Sequence, residues 1–304
     1  MEGQSFDIPL QRINDPEIAD FAVDLYVLRT DLNHPHISGN KLYKLKYNLE
    51  EAALQQKETI LTFGGAYSNH IAATAAAGRE NGFKTIGIIR GERMPELNPT
   101  LRFAEEQGMQ LHFVSRETYR KKNDPDFFEH LPFSNSTNPE LNNSFIIPEG
   151  GANKAGIKGC SGITRSIPIP FDYVCCPCGT GTTLTGIILS LQEHQQALGF
   201  QVLKGENYIR SEVESWLREF SSDQQNWSVS EEYYFGGYAK TTVELMRFKA
   251  AFEQQNAIPL DPVYTAKMMY GIYDLIKKGS FKRGQTVVAV HTGGLQGNAG
   301  FYGA

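Results

Sequence analysis

Three lysines stand within six residues of one another, directly after a turn-forming stretch. Residues 38–46 read SGNKLYKLK, so Ser38-Gly39-Asn40 favours a turn and Lys41, Lys44 and Lys46 follow it. A lysine in the first turn of a helix faces the positive end of the helix dipole, which disfavours its ammonium form, and burial would lower its pKa further. A neutral lysine amine is a nucleophile toward an aldehyde. A solvated helix face is the alternative for this stretch taken alone.

A second stretch has the composition of a phosphate loop. Residues 178–187 read CGTGTTLTGI and join an apolar strand to a helix. Gly179 and Gly181 allow the backbone N–H groups to point at an anion, and Thr180, Thr182 and Thr183 add hydroxyl donors. The loop has neither the lysine of a Walker A motif nor a well-placed GxGxxG, so one phosphate fits better than a nucleotide. A Thr-capped structural turn is the alternative. A cradle for one phosphate, together with an activated lysine, is what pyridoxal 5′-phosphate requires.

Polar side chains also follow two other predicted strands. Ser68, Asn69 and His70 end the stretch FGGAYSNH, residues 63–70, where helix-capping residues belong. Capping explains them individually, but the carboxyl edge of parallel strands is where open α/β sheets bind ligands. A substrate carboxylate would suit this helix start. The stretch HTGG, 291–294, ends the last strand, and there either His291 or Thr292 is expected to face the ligand.

Composition sets the class of protein. The chain has 304 residues and a net charge of -5, with lysine and arginine scattered, so nothing indicates a nucleic-acid partner. It contains no apolar run near the roughly 20 residues that span a bilayer, and its first residues lack an apolar signal core, so we expect a cytoplasmic protein with no membrane partner. Its four cysteines lack the second ligand pair of a zinc site, so we expect buried, reduced thiols and no metal.

Short apolar strands alternate with amphipathic helices along the chain. Strands are predicted at 58–65, 84–92, 109–115, 200–207 and 284–291, and helices at 68–82, 98–108, 241–257 and 261–279, whereas 208–237 looks irregular. This alternation predicts an α/β fold of two lobes, with mostly parallel twisted sheets, helices on both faces and a cleft between the lobes. The expected domains are 1–46 plus 151–304, which would bind the cofactor, and a small α/β domain over 47–150.

Six segments, in chain order, resemble one family of pyridoxal-phosphate enzymes. It contains D-cysteine desulfhydrase and 1-aminocyclopropane-1-carboxylate deaminase and has the tryptophan synthase β-like fold, called fold type II. The segments are GNKLYKLKYNL, FGGAYSNH, IIPEGGAN, GTGTT and LDPVYTAKMMYGIYDLI with the final HTGG. The resemblance implies a homodimer that acts on a small amino acid.

The resemblance also implies roles for individual residues. Lys41 matches the lysine that binds the cofactor covalently, and Lys44 the lysine that approaches its phosphate. Asn69 matches the asparagine that bonds the cofactor's 3′-oxygen, and Ser68 a catalytic serine near the reacting carbon. The matching cofactor-binding, catalytic and substrate-binding positions are Gly179, Thr180, Gly181, Thr182, Thr183 and Thr292 for the cofactor, Tyr264 and Tyr238 for catalysis, and Ser68, Asn69 and His70 for the substrate.

Two threonines favour one activity within the family. Cyclopropane deaminases have Glu at the position of Thr265 and Leu at that of Thr292, whereas D-cysteine desulfhydrases have Thr at both. A carboxylate opposite the pyridine nitrogen keeps the nitrogen protonated, and a hydroxyl does so less well. The weaker electron sink suffices for β-elimination, so we predict a deaminating lyase that converts D-cysteine to pyruvate, ammonia and hydrogen sulfide. Ring opening of the cyclopropane acid is the alternative, and a non-catalytic ligand binder on the same fold is a third reading, because Tyr43 and the loop 31–38 depart from the family pattern.

Overall fold

The computed structural model describes residues 8–131 and 143–301. Contacts between residues divide the chain into two compact units, which are Met1–Lys44 with Gly156–Leu295, and Leu45–Ala155 with Gln296–Ala304. The predicted domains, 1–46 plus 151–304 and 47–150, stay a prediction, because contact density does not test whether a segment folds by itself.

The first unit is built on a six-stranded sheet. In spatial order its strands are β1 (Leu10–Arg12), β2 (Asp24–Leu28), β10 (Thr286–Val290), β7 (Tyr173–Cys178), β8 (Gln196–Gln201) and β9 (Trp227–Ser230). β1 pairs with β2 in antiparallel fashion, and every other neighbouring pair is parallel. Because β2, β7 and β10 run the same way, the segments that follow them leave from one edge of the sheet. That edge therefore carries the residues leading to Lys41, the loop 179–183 and the HTGG turn.

Helices cover both faces of this sheet. They are α1 (Pro16–Ala19), the start of α2 (Asn40–Leu54), most of α6 (Lys154–Cys160), α7 (Thr182–Ile188), α8 (Tyr208–Glu219), α9 (Val243–Asn256) and α10 (Thr265–Lys277). Successive residues of a strand point to opposite faces. Cys175 accordingly lies in the core beneath α9 and α10, whereas Cys176 and Cys178 lie in the core beneath α7 and α8. The strands are apolar on both sides, as expected for a parallel sheet that is covered twice.

The second unit has a smaller, wholly parallel sheet. Its strands, in spatial order, are β5 (Met109–Val114), β4 (Lys84–Arg90), β3 (Thr59–Gly65) and β6 (Ser144–Ile147), with α3 (Asn69–Asn81), α4 (Pro99–Glu106) and α5 (Arg116–Arg120) as its helices. Ser68 caps the start of α3, and Gly82 ends it in the left-handed conformation. The two sheets with their helices confirm the predicted α/β class with mostly parallel strands.

Two of the predicted elements were wrong. The segment 208–237 is not irregular, since it contains α8 and β9. Ile209, Val213 and Leu217 form the buried face of α8 at a spacing of four residues. The strand predicted at 200–207 lies at Gln196–Gln201, because it pairs with β7 from its first residue.

Among the described residues, no helix is both long and apolar enough to cross a membrane.

Candidate active site

Lys41 is the second residue of α2, and its amine is held by the neighbouring asparagine. The Lys41 Nζ donates to Asn40 Oδ1 at 2.7 Å, and Asn40 Nδ2 donates to Thr183 Oγ1 at 2.8 Å. Asn40 therefore connects the amine to the loop 179–183. Sequence reasoning treated Asn40 only as a turn residue, although its place directly before Lys41 was a usable signal.

The Lys41 amine has a strongly lowered pKa. Burial, followed by the positive charge of Lys44, lowers its pKa from 10.5 to about 7. Cys160 and Asp261 act in the opposite direction. The sequence pointed first to the helix dipole, but burial is the leading cause here. An amine with this pKa can act as a nucleophile and can also accept and return a proton near neutrality.

Lys44 lies one turn further along α2, in the interior of the first unit. Its side chain is only 4% exposed, and burial lowers its pKa. Cys160, Cys178 and Cys176 act on this pKa in the opposite direction, in that order of influence. The contact with a phosphate that the resemblance implies for Lys44 stays a prediction. All four cysteines of the chain are buried and free, and burial raises the pKa of Cys160.

The loop 179–183 packs against an aromatic ring. A Cβ atom on Gly179 would lie 3.3 Å from Tyr264 Cε1 and 3.4 Å from the Tyr264 hydroxyl oxygen, so the ring rests on the loop backbone. The hydroxyls of Thr180 and Thr182 are 2.9 Å apart. The ring of Tyr238 meets that of Tyr264 edge-on, with 6.1 Å between centroids. The structure thus brings both predicted tyrosines to the predicted phosphate loop.

Asp261 fixes the backbone that carries Tyr264. Its Oδ1 accepts from the N–H groups of Val263 and Tyr264 at 3.0 and 2.7 Å. Its Oδ2 accepts from the Thr265 N–H at 3.0 Å and from the Thr265 hydroxyl at 2.7 Å. The hydroxyl of Thr265 is therefore used to close the turn that presents Tyr264. Sequence reasoning missed Asp261, although an aspartate just before a helix start is a common capping signal.

The unusual segment before Lys41 is internally bonded and seats Gly39 on the HTGG turn. The Gly39 N–H donates to the Thr30 carbonyl at 2.9 Å and to Asn33 Oδ1 at 3.1 Å, and Asn33 Nδ2 donates back to the Gly39 carbonyl at 3.1 Å. A Cβ atom on Gly39 would lie 2.0 Å from the Thr292 carbonyl oxygen. The chain thus passes directly over Thr292, which is 7% exposed, immediately before it reaches Lys41.

The His291 ring holds the HTGG turn in place. Its Nε2 donates to the Pro259 carbonyl at 2.6 Å, and its Nδ1 accepts from the Gly293 N–H at 3.3 Å. The Asp31 Oδ1 lies 3.6 Å from the same Nδ1. Of the two residues that the sequence left open, His291 is therefore turned to these backbone groups and to the Asp31 carboxylate, and its side chain is 1% exposed.

Tyr43, which departs from the family pattern, is a packing residue. Its hydroxyl lies 3.0 Å from Ser166 Oγ, and its side chain packs on the core beneath α7 and α8. The Tyr43 carbonyl lies so close to Gly159 that a Cβ atom there would be 1.8 Å from the oxygen. Burial raises the pKa of the phenol.

In the second unit, the three polar residues at the start of α3 have different surroundings. Ser68 Oγ accepts from the Ile71 N–H at 3.3 Å as a helix cap. Asn69 Oδ1 is buried and accepts no hydrogen bond from any described residue. His70 Nε2 lies 2.9 Å from the hydroxyl of Thr62, which itself donates to the Ile147 carbonyl, so the imidazole donates into the interior of its unit. The substrate-binding and cofactor roles of Ser68, Asn69 and His70 stay predictions.

Comparison with known proteins decides the family. The family model described as pyridoxal-phosphate dependent enzyme matches residues 4–293. The chain belongs to this family. It is therefore an enzyme of the pyridoxal-phosphate class, and pyridoxal 5′-phosphate is its cofactor, as the sequence predicted.

Relatives within the family carry the two names that the resemblance suggested. A protein of Pyrococcus furiosus, named provisionally as a 1-aminocyclopropane-1-carboxylate deaminase, is 31% identical and covers 96% of this chain and 91% of its own length. A mitochondrial protein of Arabidopsis thaliana named as a bifunctional D-cysteine desulfhydrase and 1-aminocyclopropane-1-carboxylate deaminase is 28% identical, covering 95% and 76%. The crystal structure of a homologue of 1-aminocyclopropane-1-carboxylate deaminase superposes with a TM-score of 0.79 at 28% identity, covering 97% of this chain and 92% of its own. The predicted tryptophan synthase β-like fold type II is confirmed.

The described residues of the first unit fit this cofactor. Asn40 bonds the nucleophilic amine of Lys41 on one side and Thr183 of the glycine-rich loop on the other. The same loop supplies the hydroxyls of Thr180 and Thr182. The unused acceptor of Asn69, buried in the second unit, is the kind of atom that a polar ligand group would satisfy. The predicted roles of Lys41 toward the aldehyde carbon and of the loop 179–183 toward the phosphate are ones that these residue types can fill, and they stay predictions.

Proposed function

We propose that the protein deaminates a small amino acid by β-elimination, with D-cysteine as the preferred substrate. The observation that supports this most directly is the Lys41 amine, whose pKa of about 7 and whose link through Asn40 to the loop 179–183 suit it to proton transfer beside a bound phosphate. The overall change is that D-cysteine and one water give pyruvate, ammonia and hydrogen sulfide, which balances all atoms.

The chain's residues divide the work between holding and proton transfer. The bound cofactor supplies the electron sink for the charge that forms at the substrate α-carbon. Lys41, in its neutral form, accepts the α-proton, and Ser68 is the second predicted proton-transfer residue. Asn40 holds the Lys41 amine in one direction by accepting its N–H. Tyr264 lies on the phosphate loop with Tyr238 against it, so these phenols are the candidates for binding the substrate and for protonating the departing sulfur.

Two threonines favour D-cysteine over the cyclopropane acid. The position at which cyclopropane deaminases have Glu is Thr265, whose hydroxyl bonds Asp261 at 2.7 Å, so it supplies no carboxylate. Thr292 likewise supplies a hydroxyl for the position near the pyridine nitrogen. A weak electron sink is adequate when a sulfide leaving group discharges the charge at once. Ring opening of 1-aminocyclopropane-1-carboxylate, to 2-oxobutanoate and ammonia, is the second candidate, because several relatives carry that name.

A substrate comparison tests the proposal. We would measure keto-acid release from D-cysteine, L-cysteine, D-serine and 1-aminocyclopropane-1-carboxylate with the cofactor-loaded protein. We expect D-cysteine to have the highest kcat/KM, together with sulfide release, and Lys41→Ala to abolish both. Preference for the cyclopropane acid would support the second candidate. Turnover of none of the four by fully loaded protein would refute both and support a ligand-binding role.

A homodimer in the cytoplasm remains our proposal for its assembly and location. The dimer rests on the family resemblance, and light scattering of the loaded protein would test it. The predicted absence of a nucleic-acid or membrane partner rests on the scattered charge and on the lack of a long apolar run in the sequence.

A further inference from the structure

The loop 234–240, which presents Tyr238, has an unfavourable backbone conformation. Four of its residues have positive φ, namely Phe235 (50°), Gly236 (85°), Gly237 (116°) and Ala239 (54°). Phe235 and Ala239 carry a Cβ atom, so for them the left-handed region is disfavoured. A loop of this kind persists only where its surroundings hold it. Tyr238 itself is 45% exposed, so its own burial does not fix the loop.

A buried lysine from α10 holds this loop at two points. Lys267 Nζ donates to the Tyr234 carbonyl at 2.8 Å and to the Gly237 carbonyl at 2.7 Å. The same two carbonyls also accept the turn hydrogen bonds from the N–H groups of Gly237 and Lys240. The two turns, 234–237 and 237–240, are therefore both bonded to one ammonium group. Tyr238 is one of the two central residues of the second turn.

Packing alone does not account for a lysine at position 267. Its side chain is 0% exposed, although an ammonium is costly to bury unless it is bonded. It also lies in the first turn of α10, where the helix dipole disfavours a positive charge. Asp261 provides the opposing charge, and burial lowers the pKa of Lys267 only to about 8, so the charged form predominates at pH 7. Bonds from a charged donor are about twice as strong as neutral ones.

Lys267 and Tyr264 stand three residues apart on one helix start. Asp261 accepts the Tyr264 N–H at 2.7 Å, and its charge favours the ammonium form of Lys267. The helix start thereby determines where Tyr264 lies on the phosphate loop and where Tyr238 lies against Tyr264. We propose that Lys267 is a positioning residue, which sets Tyr238 at the active site by holding the Tyr234 and Gly237 carbonyls. Its effect on catalysis rests on the proposed function, whereas its hold on the loop does not.

Hydrogen exchange tests the hold on the loop without any reference to activity. We would compare amide exchange over 234–240 at pH 7 in the wild type and in Lys267→Met, both loaded with pyridoxal 5′-phosphate. We expect amide exchange at Gly237 and Lys240 to become at least about tenfold faster in the variant. This factor corresponds to the loss of roughly one charge-assisted hydrogen bond at each acceptor carbonyl. Lys249→Met is the matched control, since Lys249 is a buried lysine of the same unit that bonds Glu253 on its own helix. Equal exchange in Lys267→Met and the wild type would overturn the proposal.

Kinetics then test whether Lys267 acts through Tyr238. We would measure kcat/KM for Lys267→Met, Tyr238→Ala and the double variant, with the substrate that the wild type turns over. If Lys267 acts by placing Tyr238, the double variant should be no slower than Tyr238→Ala alone. Losses that multiply would overturn the positioning role. Where Lys267→Met does not fold, Lys267→Gln carries the same tests, because its amide can donate to one of the two carbonyls. A wild type that turns over no amino acid refutes the proposed function, and the exchange result still decides the hold on the loop.

Discussion

Gly39 is the position at which one added methyl group should have the largest effect on the site. Its φ is +71°, and a Cβ atom there would lie 2.0 Å from the Thr292 carbonyl oxygen and 2.2 Å from its carbon. Left-handed φ costs a residue with a Cβ atom about 1–2 kcal/mol. Contacts below 3.0 Å are essentially never observed for a Cβ atom, so one of the two segments must move by about 1 Å. Such overpacking costs about 1–3 kcal/mol more, and we expect Gly39→Ala to lose about 2–5 kcal/mol in total.

Gly279→Ala separates the two contributions. Gly279 belongs to the same unit and has the same φ of +71°, but nothing lies within 4 Å of its added Cβ atom. It should therefore lose only the conformational part, about 1–2 kcal/mol. Urea unfolding of both variants measures the difference in the free energy of unfolding. Absorbance of bound cofactor measures the second effect, because a shift at Gly39 displaces Asn40 and Lys41, and only Gly39→Ala should load poorly.

Equal losses in the two variants would refute the reasoning. They would mean that the segment 30–39 moves away from Thr292 without cost, and that the hydrogen bonds between Gly39, Thr30 and Asn33 do not fix the approach to Lys41. Normal cofactor loading by a strongly destabilised Gly39→Ala would refute the second step alone, since Lys41 would then keep its place independently of the turn before it.

Three further changes probe the same site. In the apoprotein, the rate of recombination with pyridoxal 5′-phosphate should rise with pH and be half-maximal near pH 7. The reason is that burial lowers the pKa of Lys41 to about 7 and only the neutral amine reacts. Stopped-flow absorbance measures this rate, and a half-maximum near pH 10 would contradict the prediction. Asp261→Ala should destabilise the protein by about 3 kcal/mol in urea unfolding and lower kcat/KM, since it leaves the buried Thr265 N–H and the partly buried N–H groups of Val263 and Tyr264 without an acceptor. Asp261→Asn, which keeps an acceptor oxygen, should lose less. Tyr43→Phe should lose only its hydrogen bond to Ser166, about 1 kcal/mol, with kcat/KM unchanged, so a large fall in kcat/KM would place Tyr43 in the catalytic machinery.

The sequence predicted the parts of the site that follow strands. The glycine-rich loop, the HTGG turn and the lysine segment each carry a local pattern, and parallel pairing of β2, β7 and β10 brings their starting points to one edge. Such predictions succeed because glycine turns and apolar strands are determined mainly by neighbouring residues.

Contacts between distant segments were not predictable in this way. The bonds from Lys267 to the carbonyls of Tyr234 and Gly237 join residues 33 and 30 positions apart, and a backbone carbonyl leaves no trace in the sequence. The role of Asn40 required knowing that Thr183 lies beside it. Helix α8 was missed for another reason, since its apolar face consists of only three residues among charged ones.

The burial of the cysteines has a practical consequence for experiments on this protein. None of the four thiols is more than 2% exposed, and a buried thiol is poorly accessible to alkylating reagents. A single cysteine introduced at an exposed position, such as Val243 or Leu54, should therefore take up a maleimide dye selectively in the otherwise native chain. Two introduced cysteines could also carry a donor and an acceptor dye, so that the distance between the two labelled positions is followed by fluorescence during turnover. No cysteine of the core would have to be removed first.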